Sequence, residues 1–248
     1  MTEAFLSRRC LEPIDTLVLA GGLGSRLRPV IGDIPKLLAS IAGRPFLAYL
    51  LKWLGTFGAR RVILALGHRA QAVIDHLQAN PCSSITVVPV IEPEPLGTAG
   101  ALRFARTELR TDPVLVMNGD TLADVDLCKL LSRHARAAKR ATVLCAEVAD
   151  ASRYGRVILD QNGDIAGFVE KDASYRGVGA INAGVYVMTA AFLDEIADGE
   201  ATSLERDVFE QLPAGSLAAL AARFDFIDIG TPESLASAPD VFPEYLQT

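Results

Sequence analysis

The feature that most constrains the fold of this chain is a short apolar segment that runs straight into a glycine-rich loop. Residues Thr16–Ala20 are long enough for one buried strand. The loop that follows contains three glycines and three basic residues: Gly21, Gly22, Gly24, Arg26, Arg28 and Lys36. Because glycine has no Cβ, a ligand can come close to this backbone, and its N–H groups can surround an anion. The loop therefore predicts a polyphosphate site at the end of the first strand.

Spacing excludes two other glycine-rich phosphate loops. A dinucleotide-binding turn requires glycine or alanine at the position of Leu27, since a strand and a helix pack closely there. A P-loop requires the pattern G-x-x-x-x-G-K-[ST], which does not occur in the sequence. A plain turn with solvated arginines is disfavoured, because the glycines occur together with Arg26 and Lys36.

Strand and helix patterns alternate along the first half of the chain. The strands are predicted at 16–20, 61–66, 85–91 and 113–117, and the helices at 46–57, 70–77 and 99–109. This alternation predicts βαβ units, and hence an α/β fold with a Rossmann-like, mostly parallel sheet flanked by helices. Since ligands bind beyond the carboxyl ends of parallel strands, we expect the loops 21–36, 92–98 and 118–126 to lie together.

The pattern changes after residue 149. Here we predict strands at 156–160, 165–170 and 182–188, an Asn-Gly hairpin turn at 161–164, and helices at 190–197 and 204–212. No linker rich in Pro, Gly or Ser separates the two halves. We therefore expect one domain over 1–248, with a nucleotide-binding lobe at about 15–149 and a smaller mixed lobe at about 150–248.

Two acidic residues stand at the ends of apolar segments. Asp120 closes the segment Met117-Asn-Gly-Asp, and Asp228 closes Phe226-Ile-Asp just before a helix that starts near Pro232. Mg²⁺ binds one or two carboxylates together with phosphate oxygens and water, so a pair facing a polyphosphate site fits this ion. Either residue alone is equally compatible with a turn or a helix cap.

Composition and charge exclude several classes of protein. The formal net charge is −6, which argues against a nucleic-acid partner, since that partner requires a basic face. No apolar run is long enough to span a bilayer, and residues 1–13 lack the apolar core of a signal peptide. The cysteines at 10, 82, 128 and 145 are far apart in sequence, so we expect free thiols. Together these observations predict a cytoplasmic protein with no membrane partner.

The glycine loop also matches a family signature, G-G-x-G-[ST]-R-L-x-P followed by a Pro-Lys pair, here Pro35-Lys36. Further strings follow in the family's order and approximate spacing: Gly119-Asp120, Val169-Glu-Lys171, Asn182-Ala-Gly184 and Phe226–Pro232. In these motifs the chain resembles the sugar-1-phosphate nucleotidylyltransferases over nearly its whole length. The resemblance implies a fold of the nucleotide-diphospho-sugar transferase type, in which the second lobe binds a sugar phosphate.

The resemblance implies a role for each group of motif residues. Arg26 and Lys36 are expected on a nucleoside triphosphate, and Asp120 and Asp228 on Mg²⁺; these are the implied catalytic residues. The implied nucleotide-binding residues are Leu19, Ala20, Gly21, Gly22, Gly24, Ser25, Arg26, Glu92, Gly97, Thr98, Asn118 and Gly119. The implied sugar-phosphate residues are Gly155, Glu170, Lys171 and Asn182. Taken alone, Glu170-Lys171 is a surface charge pair and Tyr154-Gly155 a turn.

By resemblance, residues 92–101 read the base. Relatives that use UTP or dTTP commonly have Gln in place of Glu92. A carboxylate only accepts hydrogen bonds and guanine presents adjacent donors, so Glu92 favours GTP, with Glu94 as a competitor for this role.

Residues 28–36, 153–157 and 226–230 resemble those of bacterial D-glycero-α-D-manno-heptose 1-phosphate guanylyltransferases. Mannose 1-phosphate and other nucleotide–sugar pairs remain alternatives. A non-catalytic nucleotide-sugar sensor is disfavoured, because every charged motif residue is present. Family members are often homo-oligomers, and the sequence fixes no number of subunits.

Overall fold

The computed structural model describes residues 9–152 and 154–241. The strands of this part of the chain are β1 (Thr16–Ala20), β2 (Ser40–Ile41), β3 (Arg44–Pro45), β4 (Arg61–Leu66), β5 (Thr86–Ile91), β6 (Val114–Asn118), β7 (Thr121–Ala123), β8 (Ala141–Val148), β9 (Arg156–Leu159), β10 (Ile165–Val169), β11 (Gly179–Met188), β12 (Leu217–Ala222) and β13 (Phe226–Asp228). The described residues leave out 1–8, Arg153 and 242–248. Most of the segment 1–13, which we predicted not to be a signal peptide, therefore lies outside them.

Helices connect these strands. They are α1 (Arg28–Ile31), α2 (Phe46–Thr56), α3 (Ala70–Ala79), α4 (Gly97–Ala105), α5 (Leu127–Ala137), α6 (Ala190–Asp198) and α7 (Pro232–Val241). Short 3₁₀ turns occur at Lys36–Leu38, Arg106–Glu108 and Phe209–Gln211, and one π-helical turn at Leu204–Val208. In the described part of the chain, no helix is both long enough and apolar enough to cross a membrane.

One mixed sheet of nine strands organises the molecule. Strands β5, β4, β1 and β6 are parallel neighbours in that order. Strand β11 then runs antiparallel between β6 and β8, and β12 lies parallel to β8. The hairpin β9–β10 extends the sheet from the first half of β11. The predicted α/β class with a Rossmann-like parallel half is confirmed.

The sheet is buried on both faces, which explains why its strands are nearly continuous apolar runs. Val18 packs into the core on the side of α2, where Trp53 is fully buried. Leu17 and Leu19 point the other way, into a second core that contains Phe192 of α6. The carboxyl ends of the parallel strands therefore meet at one sheet edge, between two firmly packed layers.

Most predicted elements are found, with shifted ends. The predicted helix at 99–109 is α4, which begins earlier at Gly97 and passes into a 3₁₀ turn. The predicted helix at 204–212 is wrong: this segment is a π-helical turn followed by a 3₁₀ turn. Two hydrogen bonds to side chains set how it begins: the Leu204 N–H donates to the distant Thr98 hydroxyl, and the Ser203 N–H donates to Asp207 within the turn. Both hydrogen bonds are accepted by side chains. The spacing of apolar residues, on which the helix prediction rested, carries no information about such bonds.

The prediction of four free thiols is also wrong. Cys10 and Cys128 form a disulfide across 118 residues, with their Cα atoms 5.5 Å apart. Cys128 lies at the start of α5, and both cysteines pack against the same hydrophobic core, so the fold brings together residues that spacing alone separates. Cys82 and Cys145 are free, as predicted.

The predicted boundary near residue 150 remains a proposal. Strand β8 precedes this boundary, whereas its sheet neighbours β11 and β12 follow it. The nine-stranded sheet therefore spans both predicted lobes.

Candidate active site

A cavity of about 290 Å³ opens at the carboxyl ends of β1, β5 and β6, where the three predicted loops meet. Predicted residues that line it are Leu19, Ala20, Gly21, Gly22, Lys36, Glu92, Gly97, Thr98, Asn118, Gly119 and Asp120. Pro95 and Ala101, which belong to the predicted base-reading segment, also line it, as does Leu37, which was not predicted. Gly24, Ser25, Arg26 and Asp228 do not line it, and Ser25 and Arg26 lie exposed on the outer part of the glycine loop.

The glycine at position 21 is required by close packing. A methyl group there would lie 2.1 Å from Glu92 Oε1, and a methyl group on Gly67 would lie 2.5 Å from the carbonyl oxygen of Gly21. The ends of β1, β4 and β5 can therefore approach only because these positions lack a Cβ. Gly119 closes the third side, where its N–H donates to the carbonyl of Leu19 at 2.8 Å.

Lys36 and Asp120 form the charged end of the cavity. Lys36 Nζ lies 2.7 Å from Asp120 Oδ2, and both side chains are about four-fifths buried, at 20% and 23% exposure. Gly24 has φ +59°, which turns the loop back toward Lys36. The glycine loop and the segment after β6 thus place a lysine and an aspartate side by side in one small volume.

The remaining charge of the loop is held in a separate cluster around Asp33. This carboxylate pairs with Arg28 at 3.0 Å, with His68 at 2.7 Å and with Arg69. Hydrogen bonds from Arg69, then His68 and Arg28, hold the pKa of the Asp33 carboxyl well below its usual range. Arg28 therefore ties the glycine loop to the segment after β4, so its charge is already compensated.

Asp120 and Asp228 are brought together by a small two-stranded sheet. Strand β13 pairs with β7 so that Asp228 lies opposite Thr121, and the Ile229 N–H donates to the carbonyl of Asp120 at 2.9 Å. Desolvation by the surrounding protein, and then repulsion from Asp120, raise the pKa of the Asp228 carboxyl, while Lys36 and Arg26 lower it. Two neighbouring carboxylates thus face the positive end of the glycine loop.

The opposite end of the cavity contains Glu92. Its side chain is 6% exposed, and Oε2 accepts a hydrogen bond from the Leu96 N–H at 3.2 Å. Oε1 is buried without a partner among the described residues. Desolvation raises the pKa of this carboxyl. Glu94, the competitor named from the sequence, is exposed and does not line the cavity.

Asn118 is the second residue with an unpaired acceptor in the cavity wall, because its Oδ1 is buried without a partner in the described part of the chain. Its amide nitrogen packs against Gly184, where a methyl group would lie 2.7 Å away. Gly184 has φ +70° and sits in an irregular stretch of β11, where its N–H donates to Asn182 Oδ1 at 2.8 Å. The Asn-Ala-Gly string therefore builds the bulge that accommodates Asn118.

The predicted sugar-phosphate residues converge on Gly155. Arg156 of β9 lies opposite Val169 of β10 and Ile181 of β11. The antiparallel pairing therefore places Gly155 beside Glu170-Lys171 on one side and beside Asn182 on the other. Gly155, Glu170 and Lys171 are exposed, and none of these four residues lines the nucleotide cavity.

Sequence reasoning missed two residues that connect these regions. Tyr186 is fully buried in β11, and its hydroxyl donates to Glu205 Oε1 at 3.0 Å. Glu205 lies in the π-helical turn and also accepts from the Thr98 hydroxyl at 3.3 Å. No local pattern marks this pair: Tyr186 belongs to an apolar strand, and Glu205 is one acid among several.

The comparisons with known proteins agree with this architecture. Residues 15–243 match the family model described as Nucleotidyl transferase, and the chain therefore belongs to the nucleotidyl transferase family. A crystal structure of HddC from Yersinia pseudotuberculosis superposes with a TM-score of 0.82 at 35% identity, covering 92% of this chain and 99% of that one. HddC has also been solved in complex with GMP-PN.

Two groups of curated relatives are similar to the chain. D-glycero-alpha-D-manno-heptose 1-phosphate guanylyltransferase from Aneurinibacillus thermoaerophilus is 34% identical, over 94% of this chain and 100% of its own length. The catalytic subunit beta of mannose-1-phosphate guanylyltransferase from Drosophila melanogaster is 36% identical over 88% of this chain. The chain spans 59% of the length of that relative.

Proposed function

We propose that this protein transfers GMP from GTP to a sugar 1-phosphate, releasing pyrophosphate, and that the acceptor is D-glycero-α-D-manno-heptose 1-phosphate. The observation that carries the proposal is the buried, unpaired Oε1 of Glu92 at one end of a cavity whose other end holds Lys36 and Asp120. A buried acceptor without a donor is costly unless a ligand supplies the donor. The cavity therefore suits a ligand with hydrogen-bond donors at one end and phosphates at the other.

Guanine fits the Glu92 end better than the other bases. It carries a ring N–H and an exocyclic amino group side by side, and a carboxylate can accept from both. Uracil and thymine have a carbonyl oxygen next to their single N–H. That oxygen is an acceptor and would be repelled by the second carboxylate oxygen. The guanylyltransferase names of the relatives point to the same base.

The phosphate end suits in-line phosphoryl transfer. A phosphate oxygen of the sugar 1-phosphate attacks the α-phosphorus of GTP, the new P–O bond forms, and the bond to the leaving pyrophosphate breaks. The attacking phosphate is already largely ionised near neutral pH, since its second pKa is about 6, so no general base is needed. Lys36 and Arg26 hold the triphosphate and stabilise charge on the α-phosphate and the leaving pyrophosphate.

Asp120 and Asp228 fit a bound Mg²⁺. Desolvation, and then repulsion from Asp120, raise the pKa of the Asp228 carboxyl, and a cation bound by both carboxylates would relieve that repulsion. Among the described residues no group of three or more acidic, His or Cys side chains forms a metal site, which suits an ion that completes its shell with phosphate oxygens and water. When bound, Mg²⁺ supplies charge neutralisation at the phosphates.

We place the sugar 1-phosphate on the second lobe. Lys171 lies beside Glu170 at the open end of the β9–β10 hairpin, and Gly155 and Asn182 border the same point. In this proposal Lys171 pairs with the acceptor phosphate, while Glu170, Asn182 and the Gly155 backbone contact sugar hydroxyls. The reaction is proposed to take place in the cytoplasm.

Mannose 1-phosphate is the second candidate acceptor. The similarity to the Drosophila mannose-1-phosphate guanylyltransferase subunit supports it, as does the shared ring stereochemistry of mannose and the heptose. The similarity to the Aneurinibacillus heptose 1-phosphate guanylyltransferase extends over 100% of that protein's length, which favours the heptose phosphate. A non-catalytic sensor would have no need for Lys36, Asp120 and Asp228 together.

Initial rates of pyrophosphate release with Mg²⁺ test the proposal. We expect GTP to be preferred over UTP, dTTP, CTP and ATP, and the heptose phosphate over α-mannose 1-phosphate. Glu92→Gln is expected to lower kcat/KM for GTP relative to UTP by at least about tenfold, whereas the exposed Glu94→Gln leaves the ratio unchanged. An unaltered ratio in Glu92→Gln would remove Glu92 from base recognition, and no release with any triphosphate would remove the activity.

A further inference from the structure

A chain of hydrogen bonds connects the nucleotide cavity to the sugar-phosphate lobe through Glu205. Thr98, which lines the cavity, donates its hydroxyl to Glu205 Oε2 at 3.3 Å. The Tyr186 hydroxyl donates to Glu205 Oε1 at 3.0 Å. Asn182 in turn donates its amide nitrogen to the Tyr186 oxygen at 2.9 Å. Glu205 Oε2 also accepts from the Ser203 hydroxyl at 3.1 Å, next to the turn itself. The carboxylate of Glu205 therefore contacts both sides of the site.

The direction of these hydrogen bonds is fixed by chemistry. A carboxylate accepts and does not donate, so both hydroxyls must point their protons at Glu205. Tyr186 is fully buried, and burial followed by repulsion from Glu205 raises the pKa of its hydroxyl well above the ordinary value, which keeps it protonated. With its proton given to Glu205, the Tyr186 oxygen is left as an acceptor for Asn182.

Glu205 stands on a turn that is itself anchored to the nucleotide loop. The π-helical turn Leu204–Val208 begins with the Leu204 N–H donating to Thr98 Oγ1 at 2.8 Å. Gly97, with φ +74°, allows this approach, because a methyl group there would lie 2.3 Å from the Thr202 carbonyl oxygen. π-Helical turns are rare and occur frequently at functional sites. The turn thus packs directly against the wall of the cavity.

We propose that Glu205 is a positioning residue that fixes Thr98 of the nucleotide cavity and Asn182 of the sugar-phosphate lobe relative to each other. The inference rests on the proposed function for the roles of Thr98 and Asn182, but it does not depend on which base or sugar is used. Glu205 acts through these residues and is not expected to touch the reacting atoms. Its loss should therefore weaken the binding of both substrates while the chemical step is retained.

Four substitutions test the two arms of this network. Thr98→Val removes the hydroxyl of the nucleotide arm, and Tyr186→Phe removes the hydroxyl of the sugar arm. Glu205→Met removes both arms at similar side-chain length, whereas Glu205→Gln keeps an acceptor and a donor for the same neighbours. Glu210→Met is the matched control, because Glu210 is an exposed glutamate on the adjoining 3₁₀ turn.

KM and kcat for both substrates give the readout, measured with whichever triphosphate and sugar phosphate the unsubstituted protein converts fastest. We expect Glu205→Met to raise both KM values about tenfold each with kcat within about threefold. Thr98→Val should raise mainly the nucleotide KM and Tyr186→Phe mainly the sugar-phosphate KM. Glu205→Gln should restore most of the binding, and Glu210→Met should match the unsubstituted protein.

The proposal is overturned if Glu205→Met leaves both KM values unchanged, or if Tyr186→Phe raises the nucleotide KM rather than the sugar-phosphate KM. Thr98→Val is expected to affect the sugar-phosphate KM to a smaller extent as well, because it also removes the acceptor of the Leu204 N–H. A second test is the double variant Thr98→Val with Glu205→Met. Its nucleotide KM should equal that of Thr98→Val alone, because each substitution removes the same hydrogen bond between Thr98 and Glu205. Additive effects would contradict the network. Failure of the proposed function gives a different result, since the unsubstituted protein would then convert no triphosphate at all.

Discussion

The Glu92 carboxylate is buried with one oxygen unpaired, which makes this residue unfavourable for folding and suitable for recognition. Because its pKa is raised above the ordinary 4.5, the native state holds this proton more tightly than the unfolded state does. The contribution of Glu92 to stability therefore falls as the pH rises through 4.5 toward the folded-state pKa, and stays low above it. Function and stability thus make opposite demands at this position.

We predict that Glu92→Gln unfolds at a higher temperature than the unsubstituted protein at neutral pH. The amide carries no charge to desolvate and still accepts from the Leu96 N–H. At about pH 3, well below 4.5, Glu92 is protonated in both states and the difference should largely vanish. Thermal unfolding at both pH values provides the measurement, and a variant that is less stable at neutral pH would contradict the argument.

Asp120 is expected to matter for turnover more than for stability. Its ion pair with Lys36 is about four-fifths buried on both sides, so its loss should also lower the unfolding free energy, by more than the roughly 1 kcal/mol of a surface pair. Asp120→Asn is predicted to lower kcat at least about a hundredfold, because the amide cannot supply the negative charge that a metal ion requires. Asp124→Asn, at an exposed position four residues further on, is the matched control. Activity retained in Asp120→Asn would exclude Asp120 from the metal site.

The fold distinguishes by burial two glutamates that the sequence left as competing candidates. Glu92 and Glu94 are two positions apart in the same loop, and both were candidates for base reading. Glu92 directly follows β5 and is held by the Leu96 N–H against Gly21, whereas Glu94 points to solvent. Burial of that kind depends on the neighbouring strand β1, which is about 70 residues away in sequence and leaves no local trace.

At the scale of elements, the Asn-Ala-Gly bulge of β11 connects a sequence motif to the shape of the cavity. Gly184 is predicted to be intolerant of a side chain, since Gly184→Ala combines a positive φ with a clash against Asn118. Gly215→Ala is a matched control, because Gly215 has φ +78° and open space around it.

We expect Gly215→Ala to lose about 1–2 kcal/mol of unfolding free energy from backbone strain alone. Gly184→Ala should lose more and should also raise the KM for the nucleotide, because Asn118 must move. Urea unfolding and initial rates on both variants provide the comparison. Equal losses in stability with an unchanged KM would show that the bulge does not shape the cavity.

Regular elements with strong periodicity were predictable from the sequence, including β1, β4, α2 and the Asn-Gly hairpin between β9 and β10. Strand β12 was not, because Leu217–Ala222 is rich in alanine and its strand character comes from pairing with β8. The π-helical turn was missed for a related reason, since a tertiary hydrogen bond from the Leu204 N–H to Thr98, together with a local side-chain bond from the Ser203 N–H to Asp207, sets its shape. The local sequence pattern identified segments with a clear hydrophobic period. It missed segments whose conformation depends on contacts with residues distant in the sequence.

At the scale of the whole molecule, the Cys10–Cys128 disulfide joins the segment before β1 to α5. A crosslink that closes a loop of more than a hundred residues restricts the unfolded chain, which is worth about 2–4 kcal/mol. We predict that the double variant Cys10→Ser, Cys128→Ser, or the reduced protein, unfolds several degrees lower with unchanged kcat. Cys82→Ser is the control, and a melting temperature indifferent to reduction would argue that the bond contributes nothing.

The site as a whole is assembled from the ends of β1, β5 and β6 and from the β7–β13 pair, all meeting at one edge of the sheet. Topology made this convergence predictable, because parallel strands present their carboxyl ends together. The placement of Asp228 beside Asp120 was expected from the family motifs. The network through Glu205 was not, because it depends on tertiary contacts that no motif marks. Individual roles within the site remain proposals that the substitutions above can test.

The most direct test of the central proposal is mass spectrometry of the products formed from GTP and a sugar 1-phosphate labelled with ¹⁸O in its phosphate. If the sugar phosphate attacks the α-phosphorus, the GDP-sugar should carry all of the label and the pyrophosphate none. Label in the pyrophosphate would contradict the proposed direction of attack. Absence of a GDP-sugar with both the heptose and the mannose phosphate would contradict the proposed activity itself.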